Sequence, residues 1–164
     1  MSRVSTVGMA AIVLWGVTVP VMMSRAQGAD AGSQLDDAGL QQMLTGLGYE
    51  PKALDKGFLV TIKKDGWSYY VQFVISEDKS RLGMNANLGQ ITDPDSVAAK
   101  DWMGLLAANS DLDPSSFNYD KNAKKVYLHR VLDNRGVTPA YVREQIDNFT
   151  TNIRDSEGEW KFVK

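Results

Sequence analysis

The chain has no cysteine, a single histidine (His129) and only five prolines in 164 residues. Without cysteine there is neither a disulfide framework nor a thiolate nucleophile, so folding rests on core packing alone. One histidine and no cysteine also exclude a histidine-based zinc site and a Cys-His pair. A formal net charge of −2 supplies no positive field for a polyphosphate, so nucleic acid is not an expected partner. Gly83, Gly89 and Gly104 form no phosphate-cradling loop, and no Gly-x-Ser-x-Gly elbow surrounds Ser68 or Ser76. The acidic pairs Asp36-Asp37, Asp93 with Asp95, and Asp111 with Asp113 lack the glycine and distal glutamate of a calcium loop. Each stands just before an expected element and reads as a cap or turn. The expectation is a protein that is not an enzyme and carries no cofactor or metal.

Long apolar runs are also absent, except at the start. Arg3 precedes an uncharged stretch from Val7 to Met23, and the small residues Ser24, Ala26 and Gly28 follow. A charged start, an apolar middle and a small-residue exit make a bacterial-looking signal peptide, with cleavage expected after Gly28. The run also reaches the lower limit of a membrane span, roughly 17 residues. An uncleaved leader would therefore be the only membrane attachment, but Gly16, Thr18 and Pro20 interrupt it and favour cleavage. The sequence divides into a signal peptide (1–28), a flexible mature N-terminus (29–34), one α+β domain (35–154) and a charged C-terminal tail (155–164). The expected location is exported, periplasmic or secreted. Asn148-Phe149-Thr150 matches the glycosylation pattern but falls on a predicted helix stripe and reads as chance.

Leu40, Met43, Leu44 and Leu47 recur at helical spacing, and Gly48 provides a stop. The period then changes. Phe58, Val60 and Ile62 alternate with Leu59, Thr61 and Lys63, and Asp65-Gly66 turns the chain into a second alternation of Trp67, Tyr69, Val71, Phe73 and Ile75. A polar turn at Glu77 to Ser80 leads to Leu82, Met84, Ala86 and Leu88, a third strand. Asp93-Pro94-Asp95 predicts a helix over 95–108, with Asp93 as its cap. Phe117 and Tyr119, then Val126 and Leu128, form a second hairpin around Asp120 to Lys124. Thr138-Pro139 opens a last helix whose stripe is Tyr141 or Val142, Ile146, Phe149 and Ile153. The order is α-β-β-β-α-β-β-α, an α+β fold with an antiparallel sheet (a three-strand meander plus a hairpin) and helices packed on one face.

That order, with Leu47-Gly48-Tyr49, Asp65-Gly66-Trp67, Asn87-Leu88-Gly89 and Val137-Thr138-Pro139, resembles YbjN-type domains, which share the type III secretion chaperone-like fold. The resemblance covers 35–154 and implies a small non-catalytic α+β domain, often dimeric, that binds protein segments or modulates other factors. The leader departs from the usual member, so cytoplasmic roles are not carried over.

The strands have two apolar phases. Opposite the core phase lie Leu59, Thr61, Tyr70, Gln72, Val74, Tyr127, His129 and Val131, a half-apolar outward face. An uncovered antiparallel face is normally polar, so apolar residues on it suggest a partner surface. His129 there reads as a surface histidine, because no oriented nucleophile accompanies it. Three readings stay open for this face: a protein partner or homodimer contact, a cover formed by the C-terminal segment with Trp160 and Phe162, and ordinary scatter. The favoured function is an exported protein-binding or chaperone-like, regulatory module using this aromatic face. The rival is an envelope small-ligand-binding protein or hydrolase using surface carboxylates such as Asp111 and Asp113, which requires a concave pocket.

Overall fold

A computed structural model describes residues 33–163, so the leader features (Arg3, the Val7 to Met23 run, the exit at Gly28) lie outside the described residues. Helix α1 (Asp37–Gly46) begins where the Asp36 carboxylate accepts the Gly39 N–H at 2.8 Å, satisfying one of the helix's free donors. Its Leu40 and Leu44, one turn apart, are fully buried. The helix ends at Leu47, and Gly48 takes φ +89°, a left-handed conformation that glycine adopts without steric cost.

Six strands follow: β1 (Lys52–Ala53), β2 (Phe58–Lys64), β3 (Trp67–Ile75), β4 (Arg81–Gln90), β5 (Ser115–Asp120) and β6 (Lys125–Asp133). They make one antiparallel sheet in the order β1-β2-β3-β4-β6-β5, so the second hairpin joins the meander through β6. Asp65 (φ +52°) and Gly66 (φ +81°) turn β2 into β3, both with the positive φ that a two-residue hairpin of this twist requires. Between β3 and β4 the Asp78 carboxylate accepts from the Ser76 and Ser80 hydroxyls and the Ser80 N–H. A bulge between Asn87 and Gly89 in β4 shifts the register against β6.

The meander, second hairpin and last helix therefore form as expected, and the helix expected after Asp93 needs correction. The segment 95–108 is not one helix: Pro94–Ser96 is a 3-10 turn, and α2 starts only at Ala99 (Ala99–Ala108). Asp93 makes no side-chain cap; instead its carbonyl accepts the Ser96 hydroxyl at 2.7 Å, and Val97 and Ala98 return to extended backbone. This local bond competes with helix continuation. The residues at the end of the expected flexible N-terminus are held: Gln34 bridges to Arg135, and the Ser33 carbonyl accepts the Gly136 N–H. The C-terminal segment also packs back on the helices. After α3 (Pro139–Asp155), a short α4 (Glu157–Trp160) brings Trp160 back so that its indole N–H donates to the Ile153 carbonyl at 3.0 Å.

The core lies between the sheet and the helices. Cross-strand rows such as Val60, Val71, Ala86, Leu128 and Phe117 point inward. Val142, Ile146, Phe149 and Ile153 of α3 cover them, while Tyr141 is exposed, which settles the choice in the predicted stripe. Thr138 caps α3 through the Tyr141 N–H. Asn134, fully buried after β6, donates through Nδ2 to the carbonyls of Leu35 (2.8 Å) and Lys79 (2.9 Å), tying the entry to α1 onto the β3–β4 turn.

Candidate protein-binding face

Residues on one side of a strand recur every second position, so the antiparallel register decides which side chains become neighbours. One outward row runs Leu59, Gln72, Asn85, His129, Ser116 across five strands. A second pairs Thr61 with Tyr70, and a third runs Val74, Gly83, Val131. Tyr127, opposite Asn87, shares the phase of His129, so all eight residues selected from the sequence lie on the outward face. Tyr70 is 59% exposed and Val131 36% exposed. Leu59, Val74 and Tyr127 are half-buried.

The face is not uniformly apolar. Its centre is β4, which presents Arg81, Gly83, Asn85 and Asn87 between an apolar flank on β2 and β3 and another on β6. Gly83 has no side chain to fill the space between Val74 and Val131; a Cβ there would come no closer than 3.6 Å to any atom. The centre is therefore a strip of small and polar groups. Gln72 is already committed, its amide donating to the Lys56 carbonyl at 2.8 Å. The His129 ring donates from Nδ1 to the Asn85 side-chain oxygen, and burial pushes its pKa below the ordinary histidine value.

The alternative cover for this face does not form. Trp160 meets Trp67 edge-on at 6.4 Å, and Phe162 meets Trp102 edge-on at 6.3 Å. Trp67 shares the inward phase of Tyr69, on which it stacks at 5.9 Å, so the C-terminal segment packs on the helical side.

On that side, between the β5–β6 hairpin and α3, lies a concave site of about 510 Å³, whose lining includes Asp111, Asp113, Arg130, Tyr141, Gln145 and Asn152. Asp111 and Asp113 stand in the turn between α2 and β5, the turn role expected of the pair, and Asp36 acts as a cap. Arg130 was missed as a candidate, although it stands in phase with Val126, Leu128 and Leu132, where a cation is out of place. It is 3% exposed. Its Nε–H donates to the Ser115 hydroxyl at 2.8 Å and Nη1 to the Gln145 side-chain oxygen at 2.9 Å, while the Phe149 ring lies 6.0 Å from Cζ. Burial pushes the Arg130 pKa below its ordinary value, opposed by the nearby Tyr141 and Asp113. His129 sits on the other face of the sheet, so the cavity has no histidine base. Among the described residues, no cluster of His, Asp or Glu could hold a metal ion.

The chain matches no protein-family profile and no curated protein sequence. Solved structures do match its fold. A chain of the ExsC–ExsE complex shares 16% identity at a TM-score of 0.52, covering 77% of this chain and 92% of its own length. A chain of the HopA1–SchA chaperone–effector complex shares 13% identity at 0.50, covering 76% and 91%. YbjN from E. coli shares 16% identity at 0.48, covering 76% and 91%. The architecture is the fold of the matched chains in the ExsC–ExsE and HopA1–SchA complexes, the chaperone-like fold that the sequence resemblance implied.

Proposed function

We propose that this chain is an exported, non-enzymatic protein-binding module of the chaperone-like class, which takes an extended protein segment against the outward face of its sheet. The observation that carries this reading is the outward face itself: two apolar flanks around a polar strip, with all described helices and the C-terminal aromatics on the opposite side. Apolar flanks supply burial, and Asn85 at the centre supplies hydrogen-bonding capacity, the combination that a segment with alternating apolar and polar side chains meets. The sheet's outer strands, β1 and β5, offer further main-chain hydrogen bonds. Fold likeness to a chaperone–effector complex supports the class of partner. Export rests on the apolar run and the small-residue exit at Gly28.

Two measurements test this. Mass spectrometry of the protein recovered from a periplasmic fraction is expected to find a chain beginning at Ala29; an intact leader in the membrane fraction overturns export. Light scattering then compares the processed protein with the double change Tyr70→Asp and Val74→Asp. A dimer that becomes a folded monomer makes a second copy the occupant of the face. If both are folded monomers, a photo-crosslinking residue at Tyr70 is expected to capture a protein partner in cells, whereas one at the exposed Glu144 on α3 is not. No adduct at either position overturns the reading.

A further inference from the structure

The cavity beside α3 shares Val131 with the outward face at its rim, but its charged groups lie apart from that face, and their arrangement is unusual. Arg130 is almost fully buried yet forms no ion pair among the described residues. A buried guanidinium is normally held by a carboxylate, because taking the charge from water is costly unless it is paired. Here the acceptors are neutral: the Ser115 hydroxyl and the Gln145 side chain. Those two bonds use Nε and Nη1, leaving Nη2 without a protein acceptor on a side chain that lines the cavity. The neighbours are fixed as well. Asn152 donates to the Leu112 carbonyl at 3.1 Å and the Ser115 hydroxyl at 3.3 Å, locking the hydroxyl that holds Nε.

Around this cationic floor stand two carboxylates, Asp111 and Asp113, both exposed and in no ion pair among the described residues. The third carboxylate in the lining, Asp133, is already bonded to Arg135 at 2.6 Å. A simple anion would find its cation beneath but two like charges beside it. A simple cation would face the opposite conflict. A ligand carrying both charges meets neither, and a volume of about 510 Å³ suits a small molecule.

We propose that this cavity binds a small amino-carboxylate zwitterion, with its carboxylate on the free edge of Arg130 and its ammonium group toward Asp111 and Asp113. A charge-assisted hydrogen bond from Nη2 would supply the acceptor that the fold withholds. The exposed Tyr141 ring, also in the lining, offers apolar area to the carbons between the two charges.

The test is a titration of the purified protein with glycine, 4-aminobutanoate and 6-aminohexanoate, alongside acetate and ethylammonium, which carry one charge each. Binding is followed by the Arg130 Nε–H resonance in proton–nitrogen spectra and by melting temperature. One member of the amino-acid series is expected to bind at least about tenfold more tightly than either single-charge probe, which corresponds to about 1.4 kcal/mol. The double change Asp111→Asn and Asp113→Asn, on exposed side chains, is expected to remove that advantage while the fold persists. Arg130→Met is expected to abolish binding; should it fail to fold, the aspartate variant alone decides. Acetate binding as well as the best zwitterion, or no probe moving the Arg130 resonance, overturns the proposal.

Discussion

The two faces of the one sheet are built from the same strands, in alternate positions, and they follow different rules. Inward residues of β2, β3 and β4, such as Val60, Val71, Phe73, Leu82 and Met84, are entirely excluded from solvent. Their outward neighbours Thr61, Tyr70, Gln72 and Asn85 mix apolar with polar groups and leave a gap at Gly83. A one-residue slip would exchange the sets, so the inward set fixes register and the outward set is free to carry other requirements. The comparison therefore separates residues that hold the fold from residues that act on something else.

The sharpest way to break the comparison is to damage the inward face. Phe73→Ala removes a fully buried ring from β3, and such truncations cost about 3 to 5 kcal/mol. Chemical denaturation should register most of that loss; a change under about 1 kcal/mol would mean that the inward face is not the core. Asn134→Ala comes next. It leaves the Leu35 and Lys79 carbonyls without their donor, for an expected loss of about 1 to 3 kcal/mol. Arg130 divides the inward face further. Both Arg130→Ala and Arg130→Met leave Gln145 and Ser115 without their donor, but alanine also opens a void that methionine fills with apolar atoms. Denaturation should therefore rank alanine below methionine; the reverse order would show that the charge itself is needed for stability.

How much of this was legible follows from periodicity. The inward rows could be read because Phe58, Val60 and Ile62 and then Tyr69, Val71 and Phe73 repeat every second residue, and Asp65-Gly66 fixes how the two runs meet. Strand β1 could not, since Lys52-Ala53 is too short to show a period. Nor could the C-terminus: Trp160 and Phe162 pack only because α4 turns them onto Trp67 and Trp102, which come from distant parts of the chain. The outward set was readable as a phase, but its bareness was not, because that depends on which side the tail takes. The cavity shows the same boundary. Alternation alone places Arg130 inward, but the absence of a carboxylate partner appears only when Ser115 arrives from β5 and Gln145 from α3.

Acidity offers a way to sharpen the comparison. Burial holds the His129 pKa below its ordinary value of about 6.5, so protonating it in the folded protein is harder than in the unfolded chain. Its contribution to stability is present above about pH 6.5 and is lost as pH falls through the lower folded value. Asp78 and Asp133 behave similarly at lower pH: hydrogen bonds from Ser76 and Ser80 and from Arg135 hold each at about 2. Their contribution is present above the unfolded value near 3.8 and is lost as pH falls toward 2. His129→Gln should flatten the stability profile just below pH 6.5 and leave the lower transition in place. An unchanged profile would mean that the outward histidine is solvated.

The smallest effect on stability should come from the residues with the clearest outward exposure. Tyr70→Ala removes a ring that is 59% exposed, and substitutions at such positions usually stay within about 0.5 kcal/mol. If the outward face serves only as the back of the sheet, this variant is silent in every assay. If the face binds a protein segment, denaturation still finds almost nothing while association weakens by about 1 kcal/mol or more, because aromatic side chains dominate such contacts. A stability loss above about 2 kcal/mol would contradict both cases and assign Tyr70 to the fold. The proposed division between the faces thus depends on one tyrosine whose removal should be felt only when a partner is present.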